Sequence, residues 1–135
     1  MARILLLTLS CALLLTACGE KEQTLGPPAA AFDIVGTWEG SLEQRDMDPF
    51  TVRATIRDLE ADPAGAVRYS GLDCRGEWTY LGKRGEAFRF REVIDSGRSE
   101  KCKGRGEVVL TPDVEKLDYV FTGGGVESRG TITRE

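Results

Sequence analysis

From Phe32 onward the chain alternates apolar and polar residues with a period of two. Thr51–Leu59 puts Val52, Ala54 and Ile56 on one side and Arg53, Thr55 and Arg57 on the other. Around Arg75–Leu81, Cys74, Gly76, Trp78 and Tyr80 face away from Arg75, Glu77 and Thr79. Lys116–Thr122 turns Leu117, Tyr119 and Phe121 inward and Asp118, Val120 and Thr122 outward; Val35–Leu42 turns Trp38 and Leu42 inward. This is the pattern of half-buried strands. Ala66–Gly71, Ala87–Ile94, Gly106–Thr111 and Ser128–Arg134 complete a set of eight predicted strands, with no predicted helix. Between them lie turn signals: Asp48-Pro49, Asp62-Pro63 with Gly65, Gly82 to Gly85, Ser96-Gly97, Pro112-Asp113 and Gly123 to Gly125. Their spacing is that of sandwiches and barrels.

Eight hairpin-linked strands in one sheet leave two open edges, and pairing the last strand with the first removes both. The predicted fold is therefore all-β, a small antiparallel up-and-down barrel, with a two-sheet β-sandwich as the alternative. Glycines at inward positions (Gly36, Gly40, Gly76, Gly106 and Gly130) leave room for Trp38 and Trp78 in a strongly bent sheet. A barrel of eight strands is either filled by its own side chains or holds one small ligand.

The first seventeen residues follow a different pattern. Arg3 is followed by Ile4 to Ala17, an almost unbroken apolar run with no recurring polar face. It is shorter than the roughly 20 residues that span a bilayer and fits the hydrophobic region of a signal peptide. The run ends in Leu15-Thr16-Ala17-Cys18, which resembles the lipobox of bacterial lipoproteins. That resemblance implies cleavage before Cys18 and acylation of Cys18, by chains such as palmitate. Each buried methylene adds about 0.8 kcal/mol, and stable anchoring needs more than one chain. The implied organisation is 1–17 signal peptide, 18–31 lipidated N-terminus and tether, and 32–135 barrel domain. The tether is polar, then rich in Gly, Pro and Ala, and reaches about 40 Å when extended. The resemblance places the protein in the bacterial cell envelope, facing the periplasm or exterior. Gly19 rather than aspartate follows the cysteine, which implies the outer membrane where the organism has one.

Two further resemblances concern the domain. GTWEG (Gly36 to Gly40) resembles the first-strand Gly-x-Trp of lipocalins. The order IVGTWEGSL, YSGLDCRGEW, FRFREVIDSG, a cysteine, VVL, LDYVF and GTITR looks like small extracytoplasmic domains of actinobacterial lipoproteins and of serine/threonine kinase outer parts. These imply fold and location and bring no activity with them.

Composition narrows the chemistry. Lys and Arg number 18 against 22 Asp and Glu, a formal net charge of −4, which argues against nucleic acid as a partner. There is no histidine, so the commonest general base and metal ligand are both missing. Neither a Gly-x-Ser-x-Gly elbow nor a Cys/His pair occurs. A two-carboxylate hydrolase remains conceivable. The expectation is a non-enzyme without cofactor or metal. Cleavage would remove Cys11. Cys74 and Cys102 then fall at the same end of an up-and-down sheet, in a compartment that permits oxidation. A disulfide between them, rather than a free thiol pair or a metal site, would add about 3.5 kcal/mol.

Two polar features invite functional readings. The alternation in FRFREVI sets Glu92 beside Phe88, Phe90 and Ile94. An inward carboxylate there needs a partner or a ligand, unless a bulge turns it outward or an inward arginine pairs with it. Arg98, Lys101, Lys103 and Arg105 crowd one loop, either a basic rim for an acidic partner or lipid phosphate, or a solvated loop. Two functions follow. The first is a non-catalytic module binding a small apolar or peptide ligand, walled by Trp38, Trp78, Tyr80 and Phe90 with Glu92. The second is an envelope protein-interaction module such as an inhibitor or assembly factor, similar in scale to the lipoprotein inhibitors of C-type lysozyme. An open interior favours the first and a filled one the second.

Overall fold

Each alternating segment forms a strand in a computed structural model, which describes residues 30–97, 101–102 and 104–135. The strands are β1 (Gly36–Gln44), β2 (Phe50–Ile56), β3 (Gly65–Ser70), β4 (Cys74–Arg84), β5 (Ala87–Gly97), β6 (Arg105–Asp113), β7 (Lys116–Gly123) and β8 (Val126–Arg134). Every neighbouring pair is antiparallel, and β1 pairs with both β2 and β8. The sheet closes on itself, which decides for the barrel over the sandwich. Cys18, the expected signal peptide and most of the expected tether lie outside the described residues.

Most strand ends lie within two residues of the alternating segments, with β6 running on through Pro112 and Asp113, and they depart further in two places. β4 and β5 run longer than their apolar stretches, down to a tight turn where Arg84 pairs with Ala87. Bulges at Arg75/Gly76 and Tyr80/Gly82 absorb the extra length and bend the pair around the barrel. β2 stops at Ile56, because its partner β3 begins at Gly65; Arg57 to Leu59 enter the connection instead.

The inward face holds the core. Trp38, Leu42, Val52, Ala54, Ile56, Trp78, Phe90, Val108, Leu110, Leu117, Tyr119 and Ile132 are all buried. The outward face carries the charges: Arg53, Arg68, Arg75, Glu77 and Arg91 are exposed. A membrane-spanning barrel shows the reverse, an apolar outer band around a polar interior.

Odd strands run toward one end, called the mouth, which carries the connections 45–49, 71–73 and 124–125 and the described residues 101, 102 and 104 between β5 and β6. Cys74 and Cys102 are disulfide-bonded there, with Cα atoms 5.7 Å apart. The opposite end, the base, is plugged by the segment leading into β1. Trp38 Nε1 donates to the Ile34 carbonyl at 2.9 Å, and Phe32 stacks on Trp38 at 5.9 Å. Arg134 lies 4.4 Å over the Trp38 ring and donates to the carbonyls of Val35 and Asp33.

Closure depends on close approach at the β1–β8 seam. A Cβ at Gly130 would fall on the Ser41 carbonyl oxygen, and one at Gly40 on the Thr131 carbonyl oxygen. Gly130→Ala should therefore lower stability by about 1–3 kcal/mol in thermal or urea unfolding. Gly104→Ala, where an added Cβ meets nothing, should stay within about 0.5 kcal/mol. Equal effects from the two would contradict a tight seam.

Candidate functional site

Glu92 points inward and is 2% exposed. The register through it is regular: Trp78 lies opposite on β4 and Gly106 opposite on β6. The bulges of β4–β5 fall on either side of it, so none turns it outward, and no arginine pairs with it among the described residues. Its partners are donors from the surrounding walls. Trp78 Nε1 donates to Glu92 Oε2 at 2.8 Å, and the Tyr69 hydroxyl donates to the same oxygen at 2.5 Å. Tyr69 and Tyr119 hydroxyls are 2.6 Å apart. The Tyr69 proton is committed to the carboxylate, so Tyr119 must donate to Tyr69. The chain of bonds runs Tyr119 to Tyr69 to Glu92, with Trp78 joining from the side. It crosses the barrel interior from β7 to β3, four strands away in either direction around the wall.

Burial sets the protonation of this network. Desolvation raises the Glu92 pKa above its ordinary value of 4.5, and the Trp78 and Tyr69 bonds oppose the rise. Both tyrosines are held well above 10.0, foremost by their own burial and then by neighbouring charge. They remain donors throughout the physiological range. Because both bonds to Glu92 end on Oε2, Oε1 can carry a proton without breaking either. The other buried polar side chain among the described residues, Ser128, donates to Gln44 Oε1 at 2.8 Å, and no buried side-chain polar atom lacks a partner.

Above the network, at the mouth, lies a cavity of about 30 Å³ lined by Tyr69, Ile94, Lys101, Cys102, Phe121 and Glu92 among others. That is room for one or two waters. Two larger hollows, about 730 Å³ at the base beside Phe32, Trp38 and Arg134 and about 850 Å³ at the mouth beside Gln44, Arg45 and Gly125, are open to solvent.

The structure gathers some of the sequence candidates and separates others. Trp78 lies 5.2 Å from Phe90, and Tyr80 5.4 Å from Phe90, with Glu92 bonded to Trp78. These four form one wall, and of them Glu92 lines the cavity of about 30 Å³. Tyr80 is only half-buried, because the adjacent bulge interrupts the alternation. Trp38 belongs to the base plug instead. Of the basic rim, Lys101 and Arg105 are exposed at the mouth, with Lys101 beside the cavity; Arg98 and Lys103 lie outside the described residues. Tyr69 and Tyr119 were not among the sequence candidates. Their signal was available: each is an inward tyrosine in an apolar alternation, and a buried tyrosine hydroxyl needs a partner.

A buried carboxylate held by neutral donors can store a proton or pin a fold. Among the described residues, no second carboxylate is bonded into the network. Among the described residues no group of three or more His, Cys, Asp or Glu is arranged to hold a metal. No family model, curated protein or solved structure matches the chain.

Two outcomes follow. Tyr69→Phe removes one donor from Glu92 and leaves Tyr119 without its acceptor; it should cost about 1.5–3 kcal/mol in urea unfolding. The pH dependence has a definite sign. A carboxyl whose folded pKa is raised stabilises fully below 4.5, and that contribution is lost as pH rises through the folded value. Glu92→Gln should remove this loss, so unfolding curves of the variant should gain on the wild type as pH rises above 4.5. A wild-type advantage that grows with pH would contradict it.

Proposed function

We propose that the protein is a lipid-anchored, non-catalytic interaction module of the bacterial cell envelope, acting through the outside of its barrel on another envelope protein. The observation that carries this reading is the filled interior. Trp78, Phe90 and Tyr119 occupy the middle of the barrel with almost no exposure, and the hollow beside Glu92 is about 30 Å³. Ligand pockets of small-molecule binders run to roughly 300–1,000 Å³. The anchor rests on Cys18 in Leu15-Thr16-Ala17-Cys18, and the Cys74–Cys102 disulfide suits a compartment that permits oxidation. The absence of histidine from the chain and the single tied-off carboxylate support a role without catalysis.

The test has two arms. Cys18→Ser should leave the precursor uncut and unlipidated while the barrel domain folds; a variant processed and anchored as before would defeat the lipoprotein assignment. Full-length protein used as bait in envelope extract, with bound proteins and lipids both identified by mass, should retain a specific protein and no stoichiometric lipid beyond its own anchor. A stoichiometric small apolar ligand, with no protein retained, would favour the ligand module instead.

A further inference from the structure

Three arginines on the outer wall stand directly opposite one another on adjacent strands. Arg53 on β2 pairs in register with Arg68 on β3, and Arg68 pairs with Arg75 on β4. Opposed residues on neighbouring strands hold their Cβ atoms about 4.5–5.5 Å apart, and like charges there destabilise the sheet. Arg53 has one partner, the Glu135 carboxylate at 2.5 Å. Arg68 and Arg75 are exposed and make no ion pair among the described residues. Elsewhere on the wall, an arginine is neutralised: Arg89 forks onto both carboxylate oxygens of Glu107, at 3.0 and 2.9 Å. Glu77 and Asp95 line the same shallow groove as the row without bonding to it.

We propose that the Arg53–Arg68–Arg75 row is a docking face for an acidic segment of a polypeptide partner. The proposal rests on the interaction-module reading and supplies that partner's contact. Each guanidinium presents a planar fork that matches a carboxylate, and the row spans about 10 Å across three strands. The molecule itself shows such a contact. Glu135 donates its backbone N–H to the Thr37 carbonyl on β1 at 3.0 Å while its carboxylate reaches across to Arg53. An incoming extended acidic segment would repeat this on Arg68 and Arg75. A flat anionic membrane fits less well, because Glu39, Glu77 and Asp95 flank the row and the chain is net negative. A narrow chain can follow the row between those acids.

The experiment titrates full-length protein in neutral detergent with labelled decaglutamate, followed by fluorescence anisotropy. Saturable binding is expected, weakening as salt rises. Arg68→Glu with Arg75→Glu should weaken it about tenfold or more. Arg68→Lys with Arg75→Lys should weaken it less, since charge stays and the fork is lost. Lys116→Glu, at the base, should change nothing. Arg68→Glu should also raise the melting midpoint by about 2–5 °C, because it places a carboxylate between two arginines. No binding of decaglutamate, equal binding by the double reversal, or a lowered midpoint for Arg68→Glu would overturn the proposal. So would preference for inorganic polyphosphate or phosphatidylglycerol vesicles over decaglutamate. An envelope protein retained equally by wild type and double reversal would overturn the row and leave the interaction reading standing. Decaglutamate bound through the row, with no envelope protein retained, would do the opposite.

Discussion

A carboxylate in the middle of an apolar barrel must be satisfied, and the rest of the interior is arranged around that need. Left unpartnered, Glu92 would oppose folding by several kcal/mol. Trp78 and Tyr69 supply the donors, and Tyr69 in turn needs Tyr119. These four residues come from β4, β5, β3 and β7, so the network fixes opposite walls against each other. The large rings that carry the donors also fill the space, and a barrel of this strand number has little to spare. Satisfying one acid and filling the barrel are thus the same event.

With the interior occupied, what the molecule offers to others is its ends and its outer wall. The base is sealed by Ile34, Trp38 and Arg134. The mouth is bridged by Cys74–Cys102, whose closure of a 28-residue separation is worth about 3.5 kcal/mol. That is a large share of the roughly 5–15 kcal/mol by which a domain is stable. The wall is where charge is left unbalanced: Arg68 and Arg75 stand opposed with no ion pair among the described residues, while Arg89 a strand away from Arg75 is neutralised by Glu107. An arrangement that opposes folding, without an ion pair among the described residues, is what the proposed acidic partner would compensate.

Much of the barrel was legible in the sequence because alternation reports the face of each residue, as at Val52, Trp78 and Tyr119. It set Glu92 beside Phe88 and Phe90 but left its orientation open, and the register of β4, β5 and β6 is what turns it inward; the up-and-down order put Cys74 and Cys102 at one end. Alternation does not report height along the barrel axis or register between strands. Trp38 and Trp78 both read as inward, yet one seals the base and the other holds Glu92. Tyr80 reads as inward and is displaced by a bulge that no apolar pattern marks. Arg53 and Arg75 read as outward in two separate segments; only the pairing of β2, β3 and β4 sets Arg68 between them and makes a row. Tyr69 was overlooked because its role depends on Glu92, which lies 23 residues further along the chain.

The central claim, that the barrel is full and works from its outside, can be measured by methyl NMR of the full-length protein during titration with palmitate. Inward methyls of Leu42, Val52, Leu110, Leu117 and Ile132 should keep their chemical shifts at every concentration short of micelle formation. Saturable shifts confined to those inward methyls would show that the interior opens to a ligand and would contradict the account.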